Sequence, residues 1–149
     1  KPARELWNLT TNVQKIQWNA TRFESVFSSP AQVWTVNWKE AIQDKLAIQL
    51  RNEISIQYDS ETQVLSVSRT DWETGEKETR ERTLQSPLQH LNAWMDYSSL
   101  ELFVNEGEEV FTLRFFTEED DLDFVVQQTV EQEMVIEVYS MKESGFILE

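Results

Sequence analysis

A two-residue alternation of apolar and polar side chains recurs along this chain and limits what it can fold into. Leu46, Ile48 and Leu50 alternate with Ala47, Gln49 and Arg51; Ile54, Ile56 and Tyr58 with Ser55 and Gln57; Leu65 and Val67 with Ser66 and Ser68. The same period returns in Leu100, Leu102 and Val104, in Phe111, Leu113 and Phe115, and in Met134, Ile136 and Val138. Successive side chains of a strand point to opposite faces, so each run predicts a strand with one face toward a core. Between the runs stand Arg51-Asn52-Glu53, Asp59-Ser60-Glu61, Thr74-Gly75-Glu76 and Asn105-Glu106-Gly107. Such residues favour turns because Asn and Gly tolerate positive φ. Strands joined by tight turns pair antiparallel, since parallel neighbours need a long crossover. The expectation is an all-β fold, a sandwich of two antiparallel sheets packed about 10 Å apart. Phe103 and Phe116 make the second face of their strands apolar as well, which predicts central strands or contact with another module. Residues 19–30 show no clean period, and residues 39–45 are compatible with a helical turn.

A chain of 149 residues can bury roughly 70% of its unfolded surface and needs no covalent staple. With no internal repeat or low-complexity linker, residues 1–149 read as a single domain. There is no cysteine, which removes disulfide and thiolate chemistry and fits a cytoplasmic setting. The first residues, Lys1-Pro2-Ala3-Arg4-Glu5, do not read as a signal peptide, and no apolar run approaches a membrane span. Because the chain starts at Lys1 and enters patterned sequence at once, a piece of a longer protein is expected. Acidic residues number 27 against 13 basic ones, a net charge of −14. Phosphate backbones and anionic bilayers are repelled by such a surface, so neither nucleic acid nor membrane is expected as a partner.

Candidate chemistry is sparse. The run Glu118-Glu119-Asp120-Asp121, with Asp123 beyond, lacks the spaced ligands and glycine of a calcium loop and reads as a solvated connection. Glu106, Glu108 and Glu109 flank Gly107 and read as a hairpin tip. His90 is the only histidine and has no evident partners for a metal or nucleophile system, so it reads as structural or exposed. Gly75, Gly107 and Gly145 are too far apart for a phosphate loop. The sequons at Asn8 and Asn19 are short enough to arise by chance and carry no assignment. Trp34, Val36 and Trp38 share one face of a strand. If open, the two indoles would stack sugar rings and make a carbohydrate-binding module recognising fructan or sucrose. If closed, they fill the core or an interdomain seam, which is the favoured reading. No catalytic, substrate-binding or metal-binding residue is assigned, and no cofactor is expected.

Residues 96–116 read Asp-Tyr-Ser-Ser-Leu-Glu-Leu-Phe-Val-Asn-Glu-Gly-Glu-Glu-Val-Phe-Thr-Leu-Arg-Phe-Phe. This segment resembles the hairpin Asp-x-Ser-Ser-x-Glu-x-Phe-x-Asn-x-Gly, followed by Thr-x-Arg-x-Phe, in the C-terminal domain of family 32 glycoside hydrolases. That family includes invertases, sucrose-6-phosphate hydrolases, levanases and inulinases. The matching positions are Asp96, Ser98, Ser99, Glu101, Phe103, Asn105, Gly107, Thr112, Arg114 and Phe116, within about a seventh of the chain. Arg4-Glu5-Leu6 looks like the start of this domain in the family, and residues 54–59 and 64–70 look like the strands before the hairpin. Thr117 stands where proline is usual and Tyr97 where arginine is common, and no Gln-x-Pro follows Leu6. These departures leave the exact fructoside open.

The resemblance implies a β-sandwich that follows a catalytic five-bladed propeller, which is absent here. In the family an Asp nucleophile and a Glu acid/base on that propeller act in a retaining mechanism, with carboxylates roughly 5–5.5 Å apart. Their motifs, Asn-Asp-Pro, Arg-Asp-Pro and Glu-Cys, do not occur in this sequence. The expected role is therefore non-catalytic: to stabilise the propeller of the same chain, with a second copy of the protein as a further potential partner.

Overall fold

In a computed structural model, residues 10–27, 31–51, 53–70, 74–96, 98–114 and 122–141 are described. They form ten antiparallel strands, with no helix among the described residues. The strands are β1 (Thr10–Val26), β2 (Gln32–Trp38), β3 (Lys45–Leu50), β4 (Ile54–Asp59), β5 (Val64–Thr70), β6 (Lys77–Thr83), β7 (His90–Met95), β8 (Ser99–Val104), β9 (Glu109–Arg114) and β10 (Asp123–Met141). Each alternating run named above lies in one of them, except that Phe115 falls outside the described residues. Their inward positions are buried: Leu46, Ile48 and Leu50 on β3, Ile54, Ile56 and Tyr58 on β4, Leu100, Leu102 and Val104 on β8. Enclosing one such aliphatic side chain is worth about 1.5–3 kcal/mol, which ties period to face.

Hydrogen bonding joins all ten strands in the order β6-β5-β4-β3-β10-β2-β7-β8-β9, with β1 on the other edge of β10. The ladder thus draws one curled sheet, where the strand spacing predicts two separate ones. The join is β10, whose first part pairs with β3 through residues 124–128 and whose last part pairs with β2 through residues 134–140. Two arms result, β3-β4-β5-β6 and β2-β7-β8-β9. Their inward faces enter one buried cluster that includes Trp34, Ile48, Ile56, Leu102, Phe111 and Phe124. Cross-arm bonds tie them: Leu88 N donates to the Tyr58 hydroxyl at 3.2 Å, and buried Arg51 donates to the Asp96 carbonyl at 3.3 Å. At the far ends of the path, Arg80 Nη1 on β6 donates to the Thr112 carbonyl on β9 at 2.7 Å.

The bend in β10 has a local cause. Ala20 of β1 pairs with Gln132 but Arg22 pairs with Gln127, so extra β10 residues are accommodated between those pairs. Bulges of this kind re-aim a strand and leave backbone groups to be satisfied. Buried Gln128 does so, donating to the carbonyls of Ala20 and Gln132 at 2.6 and 2.9 Å. Its Oε1 accepts from Trp38 Nε1 at 3.1 Å.

Residues 39–44 are irregular rather than helical, and Lys45 opens β3. The bend supplies their partners: Gln132 Oε1 accepts from Gln43 N at 2.7 Å and Thr129 Oγ1 from Lys45 N at 2.9 Å. Residues 19–26, without period in the sequence, belong to β1, whose long pairing with β10 overrides their weak pattern. Strands β1, β6 and β7 and the full length of β10 were not evident from alternation. β6 is exposed at every position, so burial imposes no apolar period on it.

Candidate functional surface

The sugar-stacking platform is not there: Trp34 and Trp38 are 0% and 2% exposed. Trp34 Nε1 points to Met95 Sδ at 3.1 Å, and its ring lies 5.1 Å from that of Phe124. Phe124 is in turn stacked on Phe27, with ring centroids 5.0 Å apart. Both indoles are core, as their shared face with buried Val36 requires.

His90 is half-buried, and its Nδ1 meets the Asn37 amide oxygen across the β2–β7 pair. The acidic run at residues 118–121 and Phe116 lie outside the described residues, and Asp123 is exposed at the start of β10. Among the described residues no group of three or more His, Asp or Glu is placed to hold a metal.

The motif residues form two hydrogen-bonded clusters, one at each end of β8. Asp96 Oδ1 accepts from Ser98 N at 3.0 Å, from Ser99 N at 2.8 Å and from Ser99 Oγ at 2.8 Å, closing the turn before β8. At the β8–β9 tip, Asn105, Glu106 and Gly107 all take positive φ, at 47°, 61° and 101°. That curl aims Asn105 at the segment before β7. Its Oδ1 accepts from Gln89 N and His90 N at 2.9 and 3.1 Å, and its Nδ2 donates to the Pro87 carbonyl at 2.9 Å. Glu108 Oε2 accepts from Gln85 N at 2.6 Å.

Burial alone would raise the Asp96 carboxyl. The Ser98 and Ser99 N–H groups, the Ser99 hydroxyl and the Arg114 charge outweigh it and hold the carboxyl below its ordinary value. Glu108 is lowered too, its slight desolvation outweighed by donors from Gln85, Asn105 and Ser86. A general acid needs the opposite shift. These carboxylates act as hydrogen-bond acceptors in a fold motif.

The remaining feature is an asymmetry between the two outer faces. In the arm β2-β7-β8-β9 the outward row runs Tyr139, Val33, Trp94, Glu101, and the next runs Glu137, Thr35, Asn92, Phe103, Val110. Tyr139, Trp94 and Phe103 are half-buried among their neighbours, and Val110 is 50% exposed. In the arm β3-β4-β5-β6 the corresponding rows are Ala47, Gln57, Ser66, Glu81 and Gln49, Ser55, Ser68, Thr79. The first outer face carries three half-buried aromatic side chains among polar ones, and the second carries none. Phe103 is legible as a second-face apolar residue and Tyr139 as one that alternates with Val138, but Trp94 is not, because its face follows from the pairing of β7.

Similarity to known proteins agrees with this geometry. The family described as glycosyl hydrolases family 32 C terminal matches residues 5–141. A probable sucrose-6-phosphate hydrolase of Vibrio cholerae serotype O1 is 32% identical over 120 residues, covering 80% of this chain and 22% of that protein. A sucrose-6-phosphate hydrolase of Staphylococcus xylosus is 39% identical over 69 residues, 44% of this chain and 14% of that protein. The chain therefore spans about a fifth or less of these relatives' length. Among solved structures, sucrose-6-phosphate hydrolase from Lactobacillus gasseri superposes with a TM-score of 0.71 at 18% identity, over 92% of this chain and 29% of that one. A family 32 β-fructofuranosidase from Bombyx mori gives 0.63 at 26% identity, over 93% and 29%.

Proposed function

This chain belongs to the C-terminal domain family of the family 32 glycosyl hydrolases, and we propose that it is the non-catalytic C-terminal domain of a β-fructofuranosidase-like enzyme. The parent would hydrolyse sucrose or sucrose 6-phosphate in an N-terminal propeller, and this domain would brace that propeller. In this reading the two arms are the two layers of a β-sandwich, with the bend at Gln128 as its corner. The observation that carries the bracing role is the set of three aromatic side chains on the outer face of the arm β2-β7-β8-β9. Trp94, Phe103 and Tyr139 lie in adjacent outward rows, beside a second arm whose outward rows hold Ser, Gln, Glu and Thr. Aromatic side chains with exposed apolar edges mark docking faces, and covering these three is worth on the order of a few kcal/mol.

The test is Trp94→Ser with Phe103→Ser in the full-length parent. Loss of bracing lowers the temperature at which sucrose hydrolysis is lost by about 5 °C or more and leaves KM at room temperature unchanged. An unchanged inactivation temperature overturns the reading. So does sucrose or sucrose 6-phosphate hydrolysis by the 149-residue chain alone that disappears when one of its carboxylates is replaced.

A further inference from the structure

Four of the seven arginines in this acidic chain, Arg69, Arg80, Arg82 and Arg114, gather where the two ends of the strand order approach each other. The register explains why. The inward positions of β6 are Glu78, Arg80 and Arg82, paired with Arg69, Val67 and Leu65 of β5. On the facing edge, the inward positions of β9 are Phe111 and Leu113, both buried. The last row of the core on the β6 side therefore ends in charge, and the two edges leave a cavity of about 360 Å³ between them. Arg69 and Arg80 line it from inward positions of β5 and β6 and Arg114 from an outward position of β9, with Glu78 as its one carboxylate and Val67 and Leu113 as its apolar residues. With Asp96, whose charge acts on Arg114, three guanidiniums stand against two carboxylates, a local charge of about +1 in a molecule of net −14.

Two of these guanidiniums are held in place. Arg69 Nη2 and Nε reach Glu78 Oε1 at 2.6 and 2.7 Å. Arg80 Nη1 donates to the Thr112 carbonyl at 2.7 Å. Each guanidinium carries five N–H donors in a planar fork, so these bonds leave donors for an oxyanion. Arg114 interacts with the Asp96 charge, but that carboxylate is already bonded by Ser98 and Ser99. Prior tethering reduces the ordering cost of binding. The volume is at the small end for organic ligands, and the surrounding negative charge disfavours a polyanion.

We propose that this seam is a binding site for a small phosphate monoester, with the arginines taking the phosphate and Val67 and Leu113 facing the carbon skeleton. The probes are inorganic phosphate and glucose 6-phosphate, titrated at constant ionic strength with chloride as reference, read by amide NMR shifts. Expected are saturating shifts at Arg80, Thr112 and Leu113 with Kd on the order of 1 mM or below for both probes, weakened about tenfold or more by Arg80→Gln with Arg114→Gln. Should the double variant lose its dispersed spectrum, Arg114→Gln alone serves, with weakening still required. Shifts that match chloride, that saturate elsewhere, or that survive the substitutions overturn the proposal. Binding of inorganic phosphate without glucose 6-phosphate overturns it too, because the site would then hold a bare ion.

Discussion

Gln128 stands at the point where β10 exchanges one partner strand for another, and its amide answers three polar groups there. Truncating it removes bonds to Ala20, Gln132 and Trp38 at once. Buried groups left unsatisfied cost about 1–3 kcal/mol each when no water replaces the partner. Gln128→Ala is expected to lower unfolding stability by about 2–4 kcal/mol in urea denaturation, against less than about 0.5 for exposed Gln127→Ala. Asp96 makes a second, pH-dependent contribution. Its pKa in the folded state lies below the ordinary 3.8, so the unfolded chain binds the proton more readily, and stability rises with pH across that interval. The contribution is complete above the ordinary value and is lost as pH falls through the folded one. Asp96→Asn should therefore be less stable at neutral pH and should show a shallower acid decline below about pH 4 in a series of denaturation curves. Glu108, also lowered, leaves part of that decline in place; an unaltered slope would contradict the role given to Asp96.

At the scale of elements, the β8–β9 hairpin shows why one turn has so specific a sequence. Three consecutive positive φ values are needed to bring Asn105 onto the backbone before β7. Asn tolerates the left-handed region at Asn105, whereas Gly107 at φ 101° lies where side chains are rare. A Cβ placed on Gly107 meets nothing within 4 Å, so Gly107→Ala isolates backbone strain from steric clash. It should destabilise by about 1–2 kcal/mol, measured by thermal or urea unfolding. A neutral result would mean that the turn relaxes. The charged inward positions of β6 and the Arg80 bond to Thr112 also protect two strand edges from pairing with other chains.

For the molecule as a whole, the decisive pairing is β1 with β10, which joins residues more than a hundred positions apart, such as Thr10 and Met141. Both arms attach to that ribbon and fill a common core, so neither arm encloses its apolar face alone. Unfolding followed by tryptophan fluorescence, which senses Trp34 and Trp38 in the core, should coincide with unfolding followed by far-UV circular dichroism. Separate midpoints would show that the arms are independent units. Refolding should be slow, in the range of milliseconds to seconds, because long loops close before these contacts form.

Alternation alone determined that the chain is all-β, which residues of the central strands face inward, and that Trp34 and Trp38 share the face of Val36. It also carried the hairpin from Asp96 to Asn105 and Gly107, because turn chemistry is local and its residues are specific. Burial supplies that signal: a side chain must match the face it occupies, so the period is written wherever one face is enclosed. The tertiary structure decided the rest. β6, exposed at every position, has no period to read; Trp94 takes its face from the register of β7; and the bend at Gln128 and the arginine seam exist only because strands distant in sequence meet. Those features depend on which edges pair, and hydrogen-bonded backbone looks the same whatever partner it finds.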